Sequence, residues 1–82
     1  MMDETEARTV VEDAITRVVP GADLAELDPH TPFRDALEFD SLDFLSFVET
    51  LSERTGLRID EEDYPQLTAL HDAAQFLVTR AG

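Results

Sequence analysis

The 82-residue chain is predicted to adopt an all-α fold, a bundle of three longer helices and one short helix with a long ordered loop between the first two. Three observations carry this prediction. Apolar residues recur at helical spacing in three separate segments. Capping and helix-breaking residues stand at the ends of those segments. A chain of this length forms one domain, residues 1–82, whose small core requires helices that bury well-defined stripes.

The first predicted helix spans residues 4–19. Acidic residues occupy its first turn, and Pro20-Gly21 stops it. Apolar residues at i, i+3, i+4, i+7, i+8, i+11 and i+12 form one face, as in a helix that buries a single stripe. We interpret the helix as a packing element whose buried face consists of Ala7, Val10, Val11, Ala14, Ile15, Val18 and Val19.

A loop of about twenty residues follows, which is longer than a compact domain usually contains without a reason. Prolines at positions 20, 29 and 32 interrupt it, and residues 23–27 are expected to make a single turn. Apolar side chains recur along the segment. We therefore expect the loop to be ordered, with its contacts to the helices made by Leu24, Leu27, Phe33 and Leu37.

The second predicted helix spans residues 41–55. Asp40 is a good N-cap, Asp43 places a negative charge in the first turn, and Gly56 is expected in the left-handed conformation that ends many helices. Ser41 therefore lies at a helix start. A phosphate on this hydroxyl would lie beside free backbone N–H groups and the positive end of the helix dipole, so the position suits attachment through a phosphodiester.

Apolar residues on this helix cover more of its circumference than one buried stripe requires. Phe44, Phe47, Val48 and Leu51 share one face and are predicted to enter the core. Leu42 and Leu45 point elsewhere, beside acidic and polar residues. Periodicity leaves two interpretations open for these two leucines: a wide core face, or a docking spot for a partner.

The last third of the chain contains a predicted short helix and a predicted longer one. The short helix spans residues 60–66 and begins at Asp60, but Pro65 makes it brief or displaced. The last helix spans residues 69–80, with Thr68 as its expected N-cap. Its buried face is expected to contain Leu70, Ala73, Ala74 and Leu77.

The charge of the chain restricts its partners. Nineteen acids oppose six arginines and no lysine, which gives a formal net charge of -13 and would repel nucleic acid and anionic membranes. Ten of those acids lie between residues 35 and 63, where only Arg54 and Arg58 oppose them. A basic protein surface is therefore the expected partner.

The absence of cysteine excludes disulfides and thiolate metal sites, so any thioester chemistry requires an imported sulfur. The N-terminal residues lack the apolar core of a signal peptide, and no apolar run approaches membrane-spanning length. We expect a cytoplasmic monomer that binds neither nucleic acid nor membrane.

A serine hydrolase is disfavoured, although Ser41, His71 and the many acids supply the residue types of a catalytic triad. Phe39 and Asp43 occupy the positions two before and two after the serine, where a nucleophile elbow needs small residues. A chain this short also leaves little scope for a preformed substrate pocket. We expect no catalytic residue.

A metal site is disfavoured as well. The acids at residues 60–63 do not follow the calcium-loop spacing and are interpreted as a solvated face. His30 lies in a proline-flanked loop and His71 in the first turn of a helix, and neither has a second histidine at ligand spacing. Both histidines are interpreted as surface residues.

The run Asp40-Ser41-Leu42-Asp43, preceded by Thr-Pro-Phe-Arg-Asp-Ala-Leu at residues 31–37, resembles the acyl carrier proteins, and the resemblance continues without a gap from Phe33 to Leu77. It implies an acyl-carrier-type bundle. It also implies that Ser41, flanked by Asp40 and Leu42, carries a covalent 4′-phosphopantetheine arm from coenzyme A, whose thiol holds an acyl group as a thioester. The protein would then be a carrier and not an enzyme.

The resemblance further implies the partners and the residues that meet them. A phosphopantetheinyl transferase would attach the arm, and acyl-loading enzymes, synthases or transferases with basic docking surfaces would use the loaded carrier in fatty-acid, polyketide or another specialised acyl synthesis. The implied docking surface consists of Asp40, Leu42, Asp43, Leu45, Ser46, Glu49 and Glu53.

Members of this family can sequester an acyl chain between their helices. The corresponding residues either line such a cleft or simply pack the core; they are Phe33, Leu37, Phe47, Leu51, Ile59, Leu70 and Phe76. Phe39, directly before Asp40, is interpreted differently. Over the attachment site it would shield the thioester or contact a partner.

The sequence also departs from the family pattern. Glu38 stands where many members have glycine, Glu49 replaces a methionine common on the docking face, and Ser46 and Ser52 stand at positions that are often acidic. These changes favour a dedicated set of partner enzymes over the general fatty-acid synthase. Two alternatives stay open: an aminoacyl or peptidyl carrier, and an unmodified acidic interaction module such as an inhibitor or a mimic of nucleic-acid charge.

Overall fold

A computed structural model describes residues 2–81, and every regular element in that range is helical. The all-α prediction is therefore confirmed. The single-domain interpretation included Met1 and Gly82, which lie outside the described residues. The elements are α1 (Glu4–Val18), α2 (Phe33–Ala36), α3 (Ser41–Thr55), a 3-10 helix (Glu61–Leu67) and α4 (Leu70–Ala81).

Helix α1 begins and ends where its polar and breaking residues dictate. Asp3 caps the helix, since its side chain accepts a hydrogen bond from the backbone N–H of Glu6 at 2.8 Å. Val19 leaves helical geometry directly before Pro20. The predicted apolar stripe faces inward, where Ala7, Val11, Ala14 and Ile15 are buried and Val10, Val18 and Val19 are partly buried.

The core lies where α1 packs against both α3 and α4. All five phenylalanines of the chain are buried in it. The four apolar residues of α3 that were predicted to share a core face do so, and so do the four predicted for α4. Hydrophobic burial by these three helices is the main favourable term in folding.

The long loop between α1 and α3 is held at two points by backbone hydrogen bonds to the start of α4. The N–H of Phe33 donates to the carbonyl of Thr68 at 2.8 Å, and the N–H of His71 donates to the carbonyl of Pro29 at 2.8 Å. Phe33 is fully buried, whereas Leu24, Leu27 and Leu37 are partly buried. The expected ordered loop is thus present, and it contains the short helix α2, which the sequence analysis did not predict.

The short helix predicted for residues 60–66 is present one residue later, at Glu61–Leu67, but its type and the burial of one side chain differ from the prediction. It forms a 3-10 helix that runs through Pro65 to Leu67, where the missing N–H of proline removes one donor. Asp63, expected on a solvated face, is instead buried. Thr68 is not the N-cap of α4, because Ala69 stands directly before the helix and the Thr68 hydroxyl donates to the carbonyl of Pro65 at 3.5 Å.

Within residues 2–81 no helix combines the length and the apolar composition that a membrane crossing requires.

Candidate functional site

Ser41 is exposed and is the first residue of α3. The helix starts there because Asp40 is extended, with φ -88° and ψ -175°, and its side chain accepts a hydrogen bond from the N–H of Asp43 at 2.8 Å. The predicted cap is thus confirmed. A serine in this position presents its hydroxyl at the positive end of the helix dipole.

The two acids beside the serine form a reciprocal capping box. The backbone N–H of Asp40 donates to the Asp43 carboxylate at 3.3 Å, while the Asp40 carboxylate accepts from the Asp43 backbone. The N–H of Phe44 then closes the first helical turn on the carbonyl of Asp40 at 3.0 Å. These hydrogen bonds fix the backbone on both sides of Ser41.

A shallow depression of about 190 Å3 opens beside the serine. Its lining combines a cation, an aliphatic side chain and two aromatic rings: Arg34, Ser41, Phe44, Leu45 and Tyr64. No histidine lines the depression in the described part of the chain, so Ser41 has no imidazole base there to activate it. Of the residue types of a catalytic triad, the lining given by the described residues contains the serine alone.

The residues predicted to dock partners lie along the outer side of α3. Leu42 and Leu45 are 74% and 42% exposed, although large apolar side chains are usually buried. Asp40, Ser46, Glu49 and Glu53 are exposed, and Asp43 is half-buried. The structure thus separates the apolar residues of α3 into a core face and an outer pair ringed by acid.

A second shallow depression, about 400 Å3 in volume, lies between α3 and the end of α1. Asp43, Ser46, Glu49 and Glu53 line it on the side of α3, and Arg17 on the side of α1. The acidic surface of α3 therefore continues toward α1.

The residues considered for an acyl cleft divide into two groups. Phe33, Phe47, Leu51 and Leu70 are fully buried and Phe76 is 5% exposed, whereas Leu37 and Ile59 are only partly buried. The rings of Phe33 and Phe47 meet edge to face, with centroids 5.1 Å apart. This is the geometry of ordinary aromatic core packing.

Phe39 does not cover Ser41, so that interpretation was wrong. The ring is 7% exposed and lies edge to face against Phe33, with centroids 5.6 Å apart. Glu38 explains the difference. Its φ of 56° is left-handed, and the N–H of Phe39 donates to the carbonyl of Arg34 at 2.8 Å, so the chain reverses and directs Phe39 into the core.

The left-handed conformation of Glu38 fits the expectation, drawn from the resemblance, that glycine would suit this position. Residues with a Cβ atom adopt positive φ at a cost, whereas glycine does not. Glu38 therefore adopts the turn that a glycine would make, but with backbone strain.

His30 and His71 lie together, with ring centroids 4.7 Å apart. The sequence indicates surface positions for both and no second histidine at ligand spacing for either. The hydrogen bond from the His71 backbone to Pro29 brings the two segments into contact. Residues 2–81 contain no group of three or more side chains that could hold a metal ion, so the pair does not form part of such a cluster.

Comparisons with known proteins agree on one family. Residues 11–77 match the family model described as "Phosphopantetheine attachment site". The chain is 32% identical over 77 residues to an acyl carrier protein of Rubrobacter xylanophilus, with 94% of each chain covered. It is 36% identical over 62 residues to one of Solidesulfovibrio magneticus (76% of this chain, 80% of the relative) and 31% identical over 75 residues to one of Chlamydia caviae (88% and 97%).

Proposed function

The chain belongs to the acyl carrier protein family, whose cofactor is 4′-phosphopantetheine, and from this premise we propose that Ser41 is the residue that carries the arm. One observation supports this assignment above all. Ser41 is an exposed hydroxyl at the start of a 15-residue helix, inside the matched region, with its neighbouring backbone fixed by the capping box. The other serines, Ser46 and Ser52, lie inside the helix.

The residues around Ser41 fit the proposed group. A phosphodiester on the serine would lie at the helix N-terminus, where the dipole favours an anion. The carboxylates of Asp40 and Asp43 accept hydrogen bonds from backbone N–H groups, so both are directed to the backbone beside the serine. The depression lined by Arg34 leaves space next to the hydroxyl.

Attachment would be a substitution at phosphorus. In a phosphopantetheinyl transferase with Mg²⁺, the Ser41 oxygen forms a bond to the phosphorus of coenzyme A that bears the pantetheine. The pyrophosphate P–O bond breaks, adenosine 3′,5′-bisphosphate leaves, and the serine proton passes to a base or to water. When bound, the arm supplies the thiol that holds an acyl group, which the cysteine-free chain lacks.

The chain itself would position the cargo and bind partners without making or breaking its bonds. A tethered cargo has a raised effective concentration at each docked enzyme. Leu42 and Leu45 would insert into partner surfaces, while Glu49 and Glu53 attract basic residues around them. Charge steering of this kind speeds the encounter with a partner, so docking should be fast. Salt screens exposed charges, so docking should also be weak at physiological ionic strength.

The finer assignment concerns the pathway. Glu49, Ser46 and Ser52 change the shape and charge that partners meet on α3, and the first two are exposed. We therefore propose that this carrier acts as a monomer in the cytoplasm with a dedicated set of acyl-transferring enzymes, in polyketide, fatty-acid or another specialised acyl synthesis. Its partners would be proteins with basic docking surfaces.

Intact-protein mass spectrometry tests the proposal. Folded protein is incubated with coenzyme A, Mg²⁺ and a promiscuous phosphopantetheinyl transferase. We expect an arm-sized mass gain for the wild type and for Thr16→Ala, which removes an exposed hydroxyl from α1, and no gain for Ser41→Ala. A gain that persists in Ser41→Ala would place the attachment elsewhere. No gain on folded wild-type protein would favour the unmodified acidic module.

A further inference from the structure

The depression beside Ser41 contains an arginine whose position is fixed by packing. The guanidinium carbon of Arg34 lies 4.6 Å from the ring centroid of Phe44. That ring in turn meets Tyr64 edge to face, with centroids 5.2 Å apart. Arg34 is therefore stacked on an aromatic pair that forms one wall of the depression.

The backbone of Arg34 is fixed as well. Its carbonyl accepts from the N–H of Phe39 at 2.8 Å, and the preceding residue, Phe33, is fully buried and bonded to Thr68. Guanidinium groups held in this way lose little further freedom on binding an anion. The cation is thus preorganised next to the serine.

Arg34 also differs from most arginines of the chain in its pairing. Among residues 2–81, four arginines form ion pairs with carboxylates, and Arg34 is not one of them. Arg17 also lacks such a pair among the described residues, but it does not line the depression. The Arg34 guanidinium keeps its donors available for another anion. The four paired residues are Arg8, Arg54, Arg58 and Arg80.

The size of the depression limits what it can bind. At about 190 Å3 it is smaller than the roughly 300–1,000 Å3 of pockets that enclose a drug-sized ligand. It can therefore accept only a part of a phosphopantetheine arm. The part nearest the serine is the phosphodiester, followed by a methylene and then a carbon with two methyl groups. The phosphodiester matches a guanidinium, and the dimethyl carbon matches an apolar wall.

We propose that Arg34, Phe44, Leu45 and Tyr64 form a binding site, here called the proximal site, for the first part of the arm attached to Ser41. The Arg34 guanidinium pairs with the phosphodiester, and the dimethyl carbon packs against Phe44, Leu45 and Tyr64. This inference rests on the proposed function. It adds that the arm is held at its base and that only its distal part moves freely.

Nuclear magnetic resonance of the arm-loaded protein tests the proximal site. In wild-type protein we expect nuclear Overhauser effects between the dimethyl protons of the arm and the ring protons of Phe44 and Tyr64. We also expect the 31P resonance to move toward its urea-unfolded position in Arg34→Gln. Arg17→Gln, which removes the same charge from the end of α1, should leave the 31P resonance unchanged.

The outcomes distinguish failure of the proximal site from failure of the proposed attachment at Ser41. An arm-sized mass gain without Overhauser effects to either ring in wild-type protein overturns the proximal site and leaves the proposed function intact. No mass gain overturns both. Equal 31P shifts in wild type, Arg34→Gln and Arg17→Gln overturn the role of Arg34. Arg34→Lys keeps the positive charge but loses the planar guanidinium. Its 31P resonance should therefore lie between the wild-type position and the urea-unfolded position.

Discussion

Arg80 on α4 donates a hydrogen bond to the buried carboxylate of Asp63 at 2.8 Å, and the second oxygen of that carboxylate accepts from the backbone N–H of Asp60 at 3.0 Å. These contacts close the 3-10 helix onto the end of α4. The hydrogen bond from Asp60 and then the Arg80 guanidinium hold the pKa of Asp63 below its usual value of 3.8, although desolvation opposes the shift.

This carboxylate should make stability depend on pH. A lowered pKa in the folded state means that the stabilisation by Asp63 is fully present above the unfolded pKa, near 3.8, and is lost as pH falls through the lower folded value. Urea unfolding should therefore show Asp63→Asn less stable than wild type at pH 7, with the difference shrinking as the pH falls below 3.8.

Glu62→Gln is the matched control, because Glu62 is an exposed acid in the same 3-10 helix. Its difference from wild type should stay small across the titration. A difference for Asp63→Asn that does not change with pH would contradict the linkage between this carboxylate and folding.

The capping box at the serine gives a second prediction. Asp40→Ala removes the acceptor for the Asp43 N–H and should lower the free energy of unfolding by about 1 kcal/mol. Asp40→Asn keeps an acceptor and should recover most of that loss. Equilibrium denaturation measures both variants, and equal stabilities for Asp40→Ala and wild type would contradict the capping role.

The left-handed residue before the site gives a third prediction. Backbone strain from an L-residue in the left-handed conformation costs about 1–2 kcal/mol. Replacement by glycine removes this strain, but glycine loses more conformational entropy on folding, which costs about 0.5–1 kcal/mol. Glu38→Gly should therefore raise the free energy of unfolding by about 0.5–1 kcal/mol. Glu38→Ala keeps the Cβ atom and separates loss of the side chain from relief of backbone strain.

Gly56 allows the reciprocal test. Its φ is 71°, and a Cβ atom there would meet no neighbour within 4 Å, so only backbone strain opposes a side chain. Gly56→Ala should lower the free energy of unfolding by about 1 kcal/mol. A destabilised Glu38→Gly together with an unaffected Gly56→Ala would rule out backbone strain as the cause at both positions.

The outer leucines give a fourth prediction, which separates docking from stability. Leu42→Ala should change the free energy of unfolding by less than about 0.5 kcal/mol, since the side chain is 74% exposed. Leu51→Ala, inside the core, should cost about 2–5 kcal/mol. Denaturation curves of the two variants measure the contrast.

Docking itself is measured by the rate of arm attachment. Leu42→Ala should lower kcat/KM of the transferase at unchanged carrier stability, and added salt should lower it further for all variants. Thr16→Ala, exposed on α1, is the control. An unchanged rate for Leu42→Ala, or a rate that salt does not alter, would remove the docking role from this surface.

The helices that the sequence predicted best are those with strong local patterns. α1 and α3 carry long apolar stripes and local end signals, so Pro20, Asp40 and Gly56 mark helix ends without reference to the rest of the chain. The exposure of Leu42 could not be predicted, because periodicity shows which residues share a face but not how much of the helix surface the neighbouring helices cover.

The missed features depend on contacts between distant parts of the chain or on an unusual backbone conformation. The buried position of Asp63 requires Arg80, which is 17 residues away, and the His30–His71 contact requires the loop to meet α4. Phe39 enters the core because Glu38 adopts a conformation that glutamate rarely takes. Local propensity carries no information about either kind of constraint.

The two backbone hydrogen bonds that join the loop to the start of α4 have a consequence for protein engineering. Residues 29–33 and 68–71 behave as one discontinuous unit, since each bond joins one segment to the other. A chimaera that takes only one of these two segments from a related carrier would combine segments whose length or direction does not match, and the two hydrogen bonds would be disturbed. Recombination between carriers should therefore exchange both segments together, with α3 transplanted between them.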